Sequence, residues 1–301
     1  MRKLVLIQAL FLGVSNPAHA LGFIEPAGPV AQAQLSHFGT ISLLMLLVIV
    51  PLFVALPIVL FRYRRRGNAT FRPDWDFNWG LEVLIWGVPV ILVAALGTAL
   101  WSHTQKYDPY KSLGPNPMVI EVVSLDWKFL FLYPEQNIAT MDLLALPEGR
   151  PVTFKLTSGT VMQSFMIPQL AGQIYTMGGM ITQLNLIADK AGTFIGRNTQ
   201  YNGNGFATQS FQTKVMTQTE FNDWIFQAKQ SSEVLDWAKY QHLLAPTIEH
   251  EPVIYSSMEE GLFARVIDNF VPGMAQMASA NEKNKLMIMT GHGHPMKGQI
   301  Q

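Results

Sequence analysis

Trp127-Lys128-Phe129-Leu130-Phe131-Leu132-Tyr133 places an aromatic ring at every second position. Side chains two residues apart share one face of an extended chain, so a strand here carries all four rings on one side. A packed sandwich core accounts for such a face, because aromatic rings dominate core energetics. An electron-entry path is the rival account of the same rings. Further strand-like runs surround it at residues 118–125, 152–157, 181–187 and 210–215, with Gly, Pro and Asn between them. Several short strands with frequent turns predict an all-β sandwich or barrel over residues 117–217.

Downstream the pattern changes. Thr217 and Glu220 have capping-box spacing, and Phe221, Trp224, Ile225 and Ala228 follow at helical intervals. A second helix is predicted over residues 232–244, ended by Pro246, and a third after Ser257 carrying Leu262, Phe263, Val266 and Ile267. Residues 218–272 therefore read as a helical appendage. Residues 273–301 are polar and Gly-rich with Met interspersed, the composition of a disordered tail.

Upstream, a linker rich in Pro, Gly and Tyr over residues 107–117 joins the β region to two apolar spans. Residues 38–61 hold no charged side chain and cover about 36 Å as a helix, enough to cross a bilayer with some tilt. Residues 80–101 form the second span, with one acid, Glu82, at its beginning and Pro89 near its middle. Arg62, Arg64, Arg65, Arg66 and Arg72 crowd into the loop between them. Positive charge stays inside, which makes that loop cytoplasmic and puts both ends of the mature chain outside. Ahead of the spans, Arg2 and Lys3, the apolar run 4–14 and Ala18-His19-Ala20 have the layout of a cleaved signal peptide covering residues 1–20.

Apolar residue types make up 49% of the chain and only 14% is charged, against about 25% in ordinary soluble domains. Lys+Arg and Asp+Glu balance at 21 each, so no basic field points to nucleic acid. Cysteine is absent from all 301 residues. A thiolate copper centre depends on Cys sulfur, the soft ligand that sets its geometry and potential. That chemistry is closed to this chain.

A two-span hairpin followed by an extracytoplasmic β-sandwich resembles subunit II of the haem–copper respiratory oxidases. The segment from Ser124-Leu125-Asp126-Trp127 to Tyr133-Pro134-Glu135-Gln136 is similar to the aromatic opening of the cupredoxin domain in that family. Ser164-Phe165-Met166-Ile167-Pro168-Gln169-Leu170, with Gln173-Ile174-Tyr175-Thr176-Met177-Gly178-Gly179-Met180, resembles its quinol-oxidase branch, the bo-type ubiquinol oxidases. In the cytochrome c oxidase branch one His and a Cys-x-Glu-x-Cys-x3-His-x2-Met run hold a dinuclear copper centre. By that register Gln163 stands for the first His, Asn198 and Asn202 for the thiolates, Gln200 for the Glu, Phe206 for the second His and Gln209 for the Met. Amides are poor ligands for this metal pair, so the resemblance implies a lost copper site. It implies a structural role for the loop around Asn198, packing the sandwich end against subunit I.

The resemblance further implies a bacterial inner-membrane, multi-pass protein with its C-terminal domain in the periplasm. It is expected to serve a proton-pumping ubiquinol oxidase. Subunit I of such an oxidase bears the haems, the copper and the quinol site, subunits III and IV complete the assembly, and membrane lipids surround the spans. No cofactor is expected in this chain. Many quinol-oxidase subunits II carry a lipobox Cys at the cleavage point; Ala20-Leu21 offers no thiol, so the N-terminus is expected to be held only by the first span.

Glu82 is the candidate for chemistry, since the family Glu of this segment resembles the entrance of a proton path into subunit I. Acids at membrane depth are costly and often functional. The ordinary reading is a Glu favoured by the dipole of a first helical turn. His292 and His294 lack a third donor and fit a solvated tail better than a metal site. His242 and His250 read as surface or interface residues. The reading of another class is a membrane-anchored, cupredoxin-like binding module outside any oxidase.

Overall fold

The computed structural model describes residues 20–64, 76–248 and 251–273. The segment expected to be a signal peptide (apart from Ala20), Arg65, Arg66, Arg72, His250, His292, His294 and the residues from 274 lie outside the described residues. The described residues fall into two compact units, one within residues 32–108 and the other combining those before 32 with those from 109 on.

The first unit holds two helices, α1 (Pro29–Arg62) and α2 (Trp79–Lys106), with apolar windows of mean hydropathy 3.1 and 2.4. Both are long and apolar enough to cross a bilayer. Each outruns the span read from its sequence. Hydropathy marks the part that suits lipid, whereas backbone hydrogen bonds continue through polar residues such as Gln34 and Ser36. Pro29 opens α1, where its missing N–H costs nothing. Asn78 caps α2, its Oδ1 accepting from the Leu81 N–H at 3.0 Å. Between the helices the rings of His37 and His103 meet at 4.1 Å.

The second unit is built on strands β1 (Met118–Leu125), β2 (Lys128–Tyr133), β3 (Ile138–Met141), β4 (Leu143–Pro147) and β5 (Val152–Ser158). They are followed by β6 (Gln163–Ile167), β7 (Ala171–Thr176), β8 (Thr182–Leu186), β9 (Gly192–Arg197) and β10 (Ser210–Met216). After β10 come α3 (Gln218–Ala228), β11 (Val234–Leu235), α4 (Trp237–Leu243), β12 (Val253–Tyr255), β13 (Ser257–Met258) and α5 (Leu262–Asp268). One sheet runs β12-β3-β2-β1-β5-β8, the other β4-β10-β9-β6-β7, and β11 pairs with β13. Most neighbours are antiparallel, but β1 and β5 run parallel, as do β4 and β10.

Strand β2, the heart of the aromatic run, is buried on both faces. Phe129, Phe131 and Tyr133 enter the core between the two sheets, where Phe129 and Phe131 meet Phe211 at 4.9 and 5.0 Å. Leu130 and Leu132 face the other way, into a second core closed by Leu235, Tyr240, Leu262, Phe263, Val266 and Ile267. The C-terminal segment thus forms a third layer over the larger sheet. A strand covered on both sides needs apolar residues along its length, and β2 supplies them after Lys128.

Trp127 departs from the expected strand. Leu125 pairs with Lys128, leaving Asp126 and Trp127 as a two-residue hairpin loop. Trp127 takes φ +68°, the left-handed region that a side chain enters at a cost of roughly 1 kcal/mol. Its ring therefore leaves the face shared by Phe129, Phe131 and Tyr133.

The helix expected over 232–244 is also corrected. Val234 and Leu235 pair in parallel with Ser257 and Met258, and α4 begins only after Asp236, whose carboxylate accepts from the Lys239 N–H at 2.7 Å. An N-cap carboxylate fixes where a helix can start. The appendage is not purely helical either, because β12 pairs with β3 and covers an edge of the larger sheet. Helix α3 forms as expected, with both halves of the Thr217–Glu220 capping box present and Phe221 in the main core. Nor is the N-terminal segment held only by the first span. Ala27 N–H donates to the Gln169 carbonyl at 2.8 Å, and its carbonyl accepts from Asp189 N–H at 2.8 Å. Gly28 lies so close to the Ile187 carbonyl that a Cβ would stand 2.3 Å from it.

Candidate functional site

The residues that the family register sets at copper-ligand positions lie at the ends of β6, β9 and β10. Gln163 begins β6, Asn198 follows β9, and Gln209 precedes β10. Backbone pairing of Asn198 N–H with the Gln209 carbonyl at 3.3 Å closes the neck of the loop they bound. Gly203 gives that loop a φ of +114°, which only glycine adopts without strain.

Four of the six expected positions meet through their side chains. Gln209 Nε2 donates to Gln163 Oε1 at 2.6 Å and to the Leu125 carbonyl at 3.2 Å. Its Oε1 accepts from Asn198 Nδ2 at 2.8 Å and Asn202 Nδ2 at 2.9 Å. Asn198 Oδ1 takes the N–H groups of Ser164 at 3.0 Å and Gln200 at 2.9 Å. Gln200 thus joins through its backbone. Phe206 stays apart, its ring edge-on to Tyr201 at 5.7 Å.

Two further members escape a reading of the sequence. Gln163 Nε2 donates to Thr160 Oγ1 at 3.1 Å, and Thr160 donates to Asp126 Oδ1 at 2.8 Å. A continuous chain of donors from Asn198 through Gln209, Gln163 and Thr160 thus ends on the Asp126 carboxylate. In the sequence Asp126 stands out only as part of an aromatic motif, and no spacing rule links it to Thr160. Trp127 covers the loop from the same hairpin, donating Nε1–H to the Asn202 carbonyl at 3.3 Å.

A dinuclear copper centre does not fit this donor set. Gln163, Asn198 and Gln209 are buried and hydrogen-bonded to one another, so their lone pairs and N–H groups are already committed. Asn202 Oδ1 is buried without a partner among the described residues, but one amide oxygen is no substitute for two thiolates. Among the described residues no cluster of three or more His, Asp or Glu side chains assembles a metal site.

Near this end of the sheet lie two buried charged residues. Lys128 donates Nζ–H to the Ala245 carbonyl at 2.9 Å and to Thr247 Oγ1 at 3.2 Å, fastening the segment after α4. Burial pulls its ammonium below the usual range, opposed by Asp142 and Asp126. Burial pushes the Asp142 carboxyl up to about 7, opposed by the Phe129 N–H and Lys128.

Glu82 belongs to the helical unit. It sits in the first turn of α2, and its Oε2 accepts from Trp86 Nε1 at 3.0 Å. His242 is exposed in the last turn of α4.

Comparison with known proteins agrees with this architecture. Residues 91–216 match the family described as cytochrome c oxidase subunit II, periplasmic domain, and residues 229–274 match the COX aromatic rich motif. The latter covers the segment that closes the second core. Subunit 2 of the cytochrome bo(3) ubiquinol oxidase of Pseudomonas aeruginosa is 36% identical over 97% of this chain and 89% of its own length. The corresponding subunit of Pseudomonas putida is 38% identical over 82% of this chain and 80% of its own. Subunit 2 of the ubiquinol oxidase of Acetobacter aceti is 37% identical, covering 87% of each. With identity of this order across nearly its whole length, the chain belongs to the subunit 2 family of the ubiquinol oxidases.

Proposed function

We propose that this chain serves as subunit II of a proton-pumping ubiquinol oxidase that reduces oxygen to water, and that it holds no redox centre itself. The observation that carries the reading is the amide cluster of Gln163, Asn198, Asn202 and Gln209, whose members hydrogen-bond one another where a copper relay would need thiolate and imidazole ligands. Electrons from a lipid-soluble quinol then enter through subunit I, which bears the haems and copper. The domain built on the two sheets braces that subunit, with the loop around Asn198 packed against it, and subunits III and IV complete the complex.

In this reading α1 and α2 cross the bacterial inner membrane. The arginine-rich loop faces the cytoplasm and the β domain faces the periplasm. Glu82 then stands at the cytoplasmic end of α2, where a carboxyl reaches interfacial water and can pass protons toward subunit I.

Extraction in mild detergent tests the assignment. The expected result is a haem-bearing polytopic partner that co-purifies and supports quinol-driven oxygen uptake without oxidising ferrocytochrome c. Isolation as a lone colourless protein, or cytochrome c oxidation by the assembly, overturns it.

A further inference from the structure

We propose that Trp86 is a positioning residue for Glu82, its indole N–H holding one carboxylate oxygen so that the other exchanges the proton. The inference rests on the reading of Glu82 as a proton entrance.

The geometry is local and specific. Trp86 Nε1 donates to Glu82 Oε2 at 3.0 Å, across the four-residue interval that puts two side chains on one helix face. The backbone beneath is fixed by Asn78, which accepts from the Leu81 N–H through Oδ1 and from the Glu82 N–H through its carbonyl, both at 3.0 Å. Glu82 thus has an anchored main chain and one anchored oxygen. Its Oε1 makes no hydrogen bond among the described residues.

The choice of partner suits the task. An indole N–H is a donor only, so it orients a carboxylate without competing for the proton or carrying it away. A lysine at the same place would add a second titrating group, and a serine would act as acceptor as well as donor. Proton uptake is then confined to Oε1: a proton from water bonds there, and departs from there, while Oε2 keeps its indole partner. A tryptophan serving only as an interfacial anchor needs no such bond.

The test is a double-mutant cycle on the intact complex, reading quinol-driven oxygen uptake per haem. Trp86→Phe keeps a ring and removes the donor. It is expected to slow turnover roughly three- to tenfold and to move its pH profile, since charge-assisted hydrogen bonds of this kind control both. In the Glu82→Gln background the same change is expected to have no further effect. Wild-type turnover in Trp86→Phe, or equal slowing in both backgrounds, overturns the positioning role. Full turnover in Glu82→Gln alone overturns the proton-entrance reading instead, and needs no Trp86 variant to be seen. Should Trp86→Phe fail to assemble, infrared spectra of the unmodified complex decide. Deuterium exchange at the indole N–H is expected to shift the carboxylate band that Glu82→Gln abolishes, and an unshifted band overturns the proposal.

Discussion

Gln209 Nε2 donates to Gln163 Oε1 at 2.6 Å, while Gln209 Oε1 collects the side-chain N–H groups of both Asn198 and Asn202. One side chain thereby ties both ends of the β9–β10 loop to the start of β6. Gln209→Leu keeps the bulk and removes the side-chain partner of Gln163 Oε1 and of Asn202 Nδ2, whereas Asn198 Nδ2 keeps the Gln200 carbonyl; each polar atom left unpaired costs about 1–3 kcal/mol. With partial relaxation the expected loss is about 3 kcal/mol, or roughly 6–12 °C in Tm for a unit of this size. Thermal unfolding of the detergent-solubilised protein checks this, alongside turnover per haem in complexes that still assemble. Turnover is expected to stay near wild type. A variant that melts normally yet turns over slowly would mean the cluster does more than hold the loop.

Trp127 and Gly205 make the roof of that cluster. A methyl on Gly205 would lie 2.2 Å from Trp127 Cδ2 and 2.4 Å from its Cγ. The ring cannot stay, and with it goes the bond from Nε1 to the Asn202 carbonyl. Gly205→Ala is therefore expected to cost about 1–3 kcal/mol, the usual range for overpacking a buried contact. The near-ultraviolet dichroism of the indole should weaken in parallel. A normal spectrum and melting curve would place the ring elsewhere.

Tyr133 pins the two sheets together through a single oxygen. Its hydroxyl accepts from the Ala145 N–H at 2.8 Å and donates to the Ala145 carbonyl at 3.2 Å, joining β2 of one sheet to β4 of the other. Tyr133→Phe preserves the ring against Trp224 but leaves both backbone groups of Ala145 buried and unpaired. The expected cost is about 2–4 kcal/mol in chemical denaturation, more than the half kilocalorie or so of a surface change. Amide exchange at Ala145 should quicken more than at Leu143.

Legibility in the sequence follows the chemistry of each element. β1 is legible at Met118–Leu125 because all but Val119 and Glu121 are buried, so apolar and β-branched residues crowd it. β9 is not. Gly196 interrupts its pattern because the Phe211 ring occupies the space a side chain would fill, with Cζ 1.9 Å from an added Cβ. Exposed Ile195 further inverts the expected alternation. β11 reads as helix because Val234 and Leu235 pair with residues that come more than twenty positions later. At the site, register against a family pattern finds Gln163, Asn198, Asn202 and Gln209. The link through Thr160 to Asp126 depends on two loops meeting in space, which local spacing does not encode.

Asp142 gives the domain a pH dependence with a definite sign. It sits at φ +54°, where its Oδ1 accepts from the Phe129 N–H at 2.7 Å. Burial raises its carboxyl from 3.8 to about 7, so the folded chain keeps the proton where the unfolded chain has released it. Stability from this group is therefore complete below about pH 4 and falls as pH rises through about 7. Asp142→Asn retains the acceptor, tolerates the left-handed backbone and removes the titration. The variant is expected to match wild type near pH 4 and to exceed it by about 2–4 kcal/mol at pH 8. Glu121, also raised to about 7 mainly by burial, keeps a residual slope of the same sign. Adding Glu121→Gln should flatten what remains. Urea midpoints at pH 4, 6 and 8 decide the matter, and an Asp142→Asn curve parallel to wild type would remove Asp142 as the source.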